Sequence, residues 1–499
     1  MFRLHICLLS FFALFPVTAS AQSIDEKINL MMQPLTDALS SFIFYTVPMA
    51  GADIPLIVMW LIIAAFFFTF YLGFINLRGF SHALTIVRGA LRDDTHEGEI
   101  SHFQALTAAM SGTVGVGNIA GVAITVSLGG PGAIFWLILA GLVGMTTKFV
   151  ECTLGVKYRK LNADGTVSGG PMYYLRDGLA EKGLPRLGKY LGSFFALAIV
   201  IGCLGAGNMF QSNQAYVQLV EVTGGAASPL LGYGWLVGLA LAVLTGLIIV
   251  GGIKSIATIT VRLVPFMVVI YVALALSVLA MNIGNIPLAI GLIFKSAFTM
   301  EGVSGGFIGI MILGFQRAAF SNEAGLGSAA IAHAAVMTDK PLTEGFVALL
   351  EPFIDTVVIC TLTGLVLVTA LPTEMLMAGN LSGIELTSSA FANVFSWAPV
   401  PLSLVAVIFA FSTLLAWAYY GVKGWTYLVG EGKTREKAFG LIFCVFIVIG
   451  ASIKLDVVLE FADAMIFIMA IPNLIGLYIL APDVKKDLQA YWASVSEQG

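Results

Sequence analysis

Apolar stretches long enough to cross a bilayer recur along the chain, and short polar segments separate them. A helix needs roughly 20 apolar residues to cross about 30 Å of hydrocarbon. The pattern predicts eleven such spans, near residues 55–77, 104–128, 132–156, 190–220, 232–251, 258–281, 305–330, 343–372, 397–420, 436–453 and 457–481. Each span is predicted to be an α-helix because unpaired backbone groups are costly in lipid.

Composition agrees with this pattern. Hydrophobic residues make up 58% of the chain, charged residues only 11%, and the mean hydropathy is +0.94. Soluble proteins carry about 25% charged residues, so lipid must be the solvent for most of this chain. The net charge of −4 and the lack of a long basic run argue against a nucleic-acid partner. The sequence therefore predicts an all-α membrane protein with one membrane domain.

The distribution of positive charge predicts an orientation. If the first span runs from outside to inside, most of the 25 lysines and arginines fall in inner loops, as the positive-inside rule requires. We therefore expect a multi-pass protein of the bacterial inner membrane with a cytoplasmic C-terminus. The predicted divisions are a leader (1–21), an extracytoplasmic segment with the approach to the first helix (22–54), the transmembrane domain (55–482) and a cytoplasmic tail (483–499).

The leader has the layout of a secretory signal. Arg3 precedes an apolar stretch, and Ala19-Ser20-Ala21 forms an A-x-A cleavage site. An uncleaved first anchor is the alternative, although the apolar stretch is short for a span.

The second span combines glycines with polar residues. Four glycines fall within ten residues, and each weakens a helix by about 1 kcal/mol relative to alanine. Gly117 and Gly121 alone would also fit close helix packing. The polar residues Thr113 and Asn118 go beyond what packing requires, so we expect a broken helix that lines a cavity.

The seventh span shows the same pattern, and it is predicted to cross the membrane in the opposite direction to the second span. Its glycines and polar groups run from Gly305 through Gly314 to Gly327. Interrupted spans at corresponding positions of two inverted halves indicate a transporter's central site. Helix N-termini there attract an anionic group, while unwound carbonyls can bind a cation.

Other polar residues allow two interpretations each. Asn208 and Gln211 share a helix face and could line a pocket or bond to a neighbouring helix. Ser412 and Thr413 could simply bond back to their own helix. The charges within the spans are functional candidates by default, and they are Lys148, Glu151, Arg317, Glu323, Glu351, Asp355 and Asp463. A structural clamp is an alternative for Arg317 and Glu323, and a hydrogen-bond anchor for Asp355.

Three segments carry a family resemblance: GTVGVGNIAGVA from Gly112, GGPGAIFW with TKFVECTLGVKYR between Gly129 and Arg159, and FSNEAGLGSAAIAHAA from Phe320. Together they resemble the alanine or glycine:cation symporter family (sodium:alanine symporter-like). The segments GGPMYYL, GNMFQSN and FSTLLAWAYYG fit the same pattern, and the likeness covers roughly residues 55–482. The leader is the main departure.

The resemblance implies sodium-coupled import of alanine or glycine by alternating access, with sodium as the coupling ion and no other cofactor. It also implies a leucine-transporter-type fold: one extra N-terminal helix followed by a 5+5 inverted repeat with two broken helices. Glutamine or serine as substrate, or proton coupling, is the alternative. The oligomeric state is left open.

The resemblance also assigns site residues. Sodium would be bound by backbone oxygens around Thr113–Val116 and by the hydroxyls of Ser412 and Thr413. The substrate carboxylate would meet amides near Gly117 and Asn118. The ammonium would meet carbonyls near Leu313–Phe315, and Gln211 and Phe315 would limit the size of the substrate side chain. The full set of substrate-binding candidates is Thr113, Gly117, Asn118, Asn208, Gln211, Gly314 and Phe315.

A membrane-embedded enzyme and a channel are the competing classes. The sequence contains no HExxH motif and no nucleophile with a histidine partner, and its five histidines are expected in the leader, inner loops and span ends. The five cysteines show no metal-ligand spacing. A pair of broken helices fits the occluded site of a carrier better than an open pore.

Overall fold

A computed structural model describes residues 24–49, 52–89, 97–162, 165–299, 306–379, 381 and 383–496. The predicted leader lies outside the described residues. Within them the protein is helical apart from two short antiparallel hairpins, which pair β1 (Thr46–Met49) with β2 (Ala52–Pro55) and β3 (Lys160–Leu161) with β4 (Val167–Ser168).

The helices of the first half are α1 (Ile24–Ile43), α2 (Leu56–Tyr71), α3 (Ile75–Arg78), α4 (Phe80–Val87), α5 (His102–Thr113), α6 (Ala120–Gly129), α7 (Gly132–Lys157), α8 (Pro171–Tyr173), α9 (Leu179–Glu181), α10 (Pro185–Leu204), α11 (Phe210–Val222), α12 (Gly234–Ile249) and α13 (Gly252–Met281). Those of the second half are α14 (Ile286–Ala297), α15 (Gly306–Asn322), α16 (Ala329–His333), α17 (Pro341–Ala348), α18 (Leu350–Pro352), α19 (Thr361–Ala370), α20 (Thr373–Met377), α21 (Ile384–Val394), α22 (Pro399–Val429), α23 (Lys433–Ser452), α24 (Leu455–Phe467) and α25 (Ala470–Ser496).

Short irregular helices connect several of these elements. Three π-helical segments, Tyr174–Gly178, Gly205–Met209 and Phe353–Cys360, join α8 to α9, α10 to α11 and α18 to α19. Three 3₁₀ turns are found at Val116–Asn118, Gly225–Ala227 and Ile283–Asn285.

Six helical segments of the described chain are long and apolar enough to cross a membrane, and a bent pair, α5 with the segment Val116–Gly129, makes a seventh. The six are Gly132–Lys157, Pro185–Val222, Gly252–Met281, Pro341–Ala370, Pro399–Val429 and Leu455–Val495. Shorter apolar helices include α2 and α12. The count of eleven spans therefore stays a prediction.

Glycines let the central helices approach one another closely. A Cβ at Gly207 would lie 1.9 Å from the Trp417 ring, so α22 packs directly on the backbone before α11. The broken pair α5–α6 lies in the interior, where α5 packs against α13 and α22, and α6 packs against α7, α15 and α21. This packing surrounds the predicted site with helices on all sides.

The loop between α7 and α10 is helical between Pro171 and Glu181. Its apolar residues Met172, Tyr174 and Leu175 are fully buried, since the segment packs on α10 and α25. At the other end of the chain, α25 continues past the boundary predicted at residue 482, and Asp483 pairs with Lys182 at 2.7 Å.

Candidate functional site

The first break follows α5. The last regular bond runs from the Val114 amide to the Met110 carbonyl, and the backbone then extends at Gly115 before the 3₁₀ turn Val116–Asn118. The two halves of the span meet at an angle of 59°. The broken helix predicted here from glycines and polar residues is confirmed.

Side chains satisfy the amides that the break releases. The Gly115 amide donates to Asn118 Oδ1 at 2.8 Å, and the Val116 amide donates to Gln211 Oε1 at 3.1 Å. The Asn118 amide bonds to the Gly115 carbonyl at 3.2 Å. Of the two amides predicted to bind a carboxylate, that of Gly117 has the more open surroundings.

Buried space adjoins Gly117. A Cβ added there would meet only Phe320 Cε1, at 4.0 Å, and a Cβ at Gly121 would meet no atom within 4 Å. Both glycines are buried, and they lie one helical turn apart. The break therefore faces an internal space beside the Phe320 ring, which also packs edge-on against Phe210.

Asn118 connects the first break to the second broken span. Its amide group donates to Asp355 Oδ1 at 2.6 Å and lies 3.3 Å from Ser321 Oγ. Ser321 and Thr356 donate to the other carboxylate oxygen of Asp355 at 2.9 and 2.7 Å. Asp355 lies in a π-helical segment, a distortion often found at functional sites. It is a fully buried carboxylate with three neutral donors.

The Thr413 hydroxyl of α22 faces the first break from the other side. A Cβ at Gly115 would lie 2.4 Å from Thr413 Oγ1, so the two residues are in direct contact. Ser412 Oγ lies 3.5 Å from Met267 Sδ on α13. Both hydroxyls also bond to the Phe409 carbonyl, at 2.9 and 3.0 Å. For Thr413, the bond to its own helix and the position beside the break therefore occur together, whereas for Ser412 the bond to its own helix is observed.

Thr113 and Val116 lie at the two edges of the break. Thr113 is the last residue of α5 and is almost fully buried. The Val116 carbonyl accepts a bond from the Ile119 amide at 3.1 Å, which leaves it one free lone pair. Both residues lie within two positions of Gly115, which contacts Thr413.

The second break lies after α15 rather than inside it. Glu323, Gly325 and Gly327 all have positive φ, at 58°, 92° and 82°, and helix resumes at Ala329. Placing the unwound carbonyls near Gly314 and Phe315 was wrong, because both residues lie within the continuous helix α15.

Gly314 and Phe315 serve packing instead. A Cβ at Gly314 would lie 2.6 Å from Trp136 Cβ, so this glycine allows α15 to contact α7. The Phe315 ring is 6.1 Å from that of Phe66 on α2. Neither residue is brought to the first break.

Asn208 is also separated from the break. Its side chain donates to the Phe443 carbonyl on α23 at 2.8 Å. This is the interhelical bond considered as the alternative, whereas Gln211, one turn further, reaches the break. Among the sequence candidates, the structure thus groups Thr113, Val116, Gly117, Asn118, Gln211, Asp355 and Thr413. Ser412 adjoins Thr413 on α22, but its hydroxyl contacts Met267.

Two further intramembrane charges, Arg317 and Glu323, have partners nearby. Arg317 forms an ion pair with Asp463 on α24, and Ser328 donates to Glu323 across the second break. Arg317 Nε and Nη1 are buried and form no hydrogen bond within the described residues. The observed contacts fit the structural clamp considered as the alternative for both residues.

Several polar residues of this centre were missed by sequence reasoning. Thr363 donates to the Asn118 carbonyl at 2.8 Å and contacts the Tyr271 hydroxyl at 2.5 Å, and Thr387 donates to the Ile119 carbonyl at 3.1 Å. Ser321 belongs to a motif that was quoted without a role. The polar run that starts at Ser321 was the one available signal, since lone threonines in apolar helices usually bond to their own backbone.

The arrangement is similar to that of a solved structure. The crystal structure of MhsT in complex with L-phenylalanine matches with a TM-score of 0.55 and 17% sequence identity, over 76% of this chain and 89% of that one. At this identity the likeness concerns the fold alone, which is the predicted leucine-transporter-type fold. Broken spans around a buried polar centre are typical of secondary transporters.

The chain belongs to the sodium:alanine symporter family, whose model matches residues 37–499. It is 42% identical to the sodium/alanine symporter AgcS of Methanococcus maripaludis, over 88% of this chain and 94% of that protein. It is 33% identical to the probable sodium/glutamine symporter GlnT of Bacillus subtilis, over 87% of each. The family resemblance seen in the motifs is confirmed, and the protein is a multi-pass membrane transporter, not an enzyme.

Proposed function

We propose that this protein is a symporter that uses a sodium gradient to import alanine, glycine or a similar small neutral amino acid. It would act in the bacterial inner membrane with its C-terminus in the cytoplasm, the orientation favoured by the distribution of lysine and arginine. The names of its relatives support both the substrate class and the ion.

One observation carries this proposal: helix ends of opposite polarity meet around a small buried space. The N-terminal end of the segment Val116–Gly129 and the C-terminal end of α15 approach each other, with Asn118 and Ser321 3.3 Å apart. A helix N-terminus attracts negative charge and a C-terminus attracts positive charge. A zwitterionic amino acid carries a negative charge on its carboxylate and a positive charge on the neighbouring ammonium group.

The substrate groups can be assigned accordingly. The carboxylate would lie by the Gly117 amide, beside the start of the segment Val116–Gly129. The ammonium would lie by the last carbonyls of α15, around Phe320 and Ser321, rather than at Gly314. The Phe320 ring, 4.0 Å from the position of a Cβ on Gly117, would limit the size of the side chain.

The coupling cation would lie between the first break and α22. The oxygen donors are the hydroxyls of Ser412 and Thr413 and backbone carbonyls between Thr113 and Val116. Thr413 and Gly115 are in contact, so a cation held there would fix the geometry of the break. Because the break also forms the substrate site, each ligand would raise the affinity for the other by the same factor.

A second substrate is favoured by one observation. Gly121 lies one helical turn beyond Gly117, and a Cβ there would contact no atom within 4 Å. This space would accept a longer side chain, such as that of glutamine, which the name of the relative GlnT includes.

The substitution Gly117→Leu tests the proposal. Gly117 does not have a positive φ, so a leucine there introduces no backbone strain. The leucine side chain would, however, fill the space proposed for the substrate. Uptake of labelled alanine should be lost while expression and folding persist. Gly291→Leu is the matched control, because Gly291 is exposed on α14 with no atom near its Cβ position. Full alanine uptake by the Gly117→Leu variant would exclude this site.

A further inference from the structure

A single buried carboxylate joins the two broken spans at the end of the bundle that carries the basic loops. His102 is the first residue of α5, and His333 is the last residue of α16. The Nδ1 atom of His333 lies 2.5 Å from one oxygen of Glu344, and His102 contacts the other oxygen. The side chains of Glu344 and His333 are completely buried. Glu344 thus contacts one half-helix of each broken span.

Backbone bonds join the same two half-helices. The segment before α5 and the segment after α16 form a parallel bridge at Ile100 and Val336, and the Glu99 amide donates to the Ala335 carbonyl at 2.8 Å. Gly98 permits this approach: its φ is +151°, and a Cβ there would lie 2.4 Å from the Val336 carbonyl oxygen.

Arg159 reinforces the contact from the end of α7. Its guanidinium donates to the carbonyls of Glu97 and Thr338 at 2.8 and 2.7 Å, and to that of Ala334 at 3.0 Å. These carbonyls lie on both sides of the backbone bridge. The planar fork of an arginine is suited to hold several acceptors in one geometry.

We propose that Glu344 is a positioning residue that closes an inner gate, on the basis of the transport function proposed above. While its carboxylate holds both histidines, α5 and α16 stay together beneath the substrate site. Release of the substrate on this side requires that the two half-helices separate. Glu344 therefore acts on transport through His102 and His333, not by contact with the substrate.

Further charges surround the closed contact. His333 Nε2 lies 3.5 Å from Glu351, and Lys148 Nζ lies 3.2 Å from the other oxygen of Glu351. A buried charged group that loses its partner is costly, so replacing Glu344 should disturb the contact between the two half-helices.

A cross-link tests whether these segments must separate. A disulfide between Ile100→Cys and Val336→Cys should lower uptake at least about tenfold after oxidation, and a reductant should restore it. A disulfide needs Cα atoms about 4.4–6.8 Å apart, which bridged strand residues satisfy. Each single variant, treated in the same way, is the control. Undiminished uptake by fully cross-linked protein would overturn the proposal.

A second measurement isolates Glu344 and needs no substrate. Val336→Cys is buried in the closed gate, so a membrane-impermeant thiol reagent on the basic-loop side should label it slowly. Adding Glu344→Gln should raise the labelling rate roughly tenfold or more, because a charge-assisted bond to each histidine is weakened. Adding Glu344→Asp, which keeps the charge, should raise it less.

Equal labelling rates with Glu344, Glu344→Gln and Glu344→Asp would overturn the role of Glu344. Because labelling does not depend on which amino acid is carried, increased labelling without alanine uptake would refute the proposed substrate and leave the gate standing. Normal alanine uptake with unchanged labelling would refute the gate and leave the proposed substrate standing.

Discussion

The contact between Gly115 and Thr413 gives the sharpest test of the cation site. Gly115 has φ −137° and ψ −163°, an extended conformation that alanine adopts readily, so Gly115→Ala introduces no backbone strain. The new Cβ would lie 2.4 Å from Thr413 Oγ1 and 3.1 Å from Gln211 Oε1. The substitution therefore acts only through the steric contact of its new methyl group with Thr413 and Gln211.

The size of the effect follows from the contact. Overpacking a filled interior costs about 1–3 kcal/mol. If the cation-bound geometry bears this cost, sodium affinity falls roughly 5- to 150-fold. The assay is the sodium dependence of alanine uptake in proteoliposomes, with Gly291→Ala as a control on an exposed helix position.

A double-mutant cycle excludes a general loss of function. Thr413→Ala removes the oxygen that Gly115→Ala would meet, and Thr413 Cβ would lie 3.5 Å from the new methyl group, an ordinary contact. In the Thr413→Ala background, Gly115→Ala should therefore cost much less than it does alone. Purely additive effects on sodium affinity would refute the proposed contact between the break and α22.

Three further predictions concern the same centre. Ser412→Ala combined with Thr413→Ala should weaken sodium dependence more than it changes the preference among amino acids, and an unchanged sodium affinity in uptake assays would contradict the cation site. Asp355→Asn replaces a carboxylate that accepts three hydrogen bonds by an amide that also donates, so thermal unfolding in detergent should show a free energy of unfolding lower by about 1–3 kcal/mol. An unchanged free energy of unfolding would mean that Asn118 and Ser321 find other partners. Gly314→Ala should lower stability through its clash with Trp136 and leave the relative uptake of alanine and glycine unchanged; a shift in that preference would return Gly314 to the substrate site.

The first break could be predicted because two independent signals coincide there. Gly115 and Gly117 weaken the helix, and Asn118 supplies a polar side chain that the structure uses to bond the Gly115 amide. The contact of Thr413 with this break could not be derived from spacing. It depends on how α22 packs, and only the family resemblance suggested it.

The second break shows why glycine content alone misplaces a site. Gly314 and Gly325 both fall within the predicted seventh span, but Gly314 lies in a regular helix where a Cβ would strike Trp136. Gly325 has a φ of +92° and belongs to the unwound segment. Composition does not distinguish a glycine needed for close packing from one needed for its backbone conformation.

The cluster of His102, His333 and Glu344 could not be predicted from the sequence for a related reason. His102 and His333 were expected at span ends, where a histidine is often solvated. Both are instead bonded to Glu344, which is 242 residues from His102 in the chain. A contact over that separation follows from the tertiary fold, and no local period in the sequence indicates it.

The central claim is that a sodium gradient drives the accumulation of a small neutral amino acid, and one measurement tests it most directly. Labelled alanine is supplied to proteoliposomes that contain the purified protein, with an inward sodium gradient, with equal sodium on both sides, or with a proton gradient alone. We predict accumulation above the external concentration only with the sodium gradient, and competition by glycine. Accumulation of alanine with the proton gradient alone would contradict the account, and so would equilibration of alanine that does not depend on sodium.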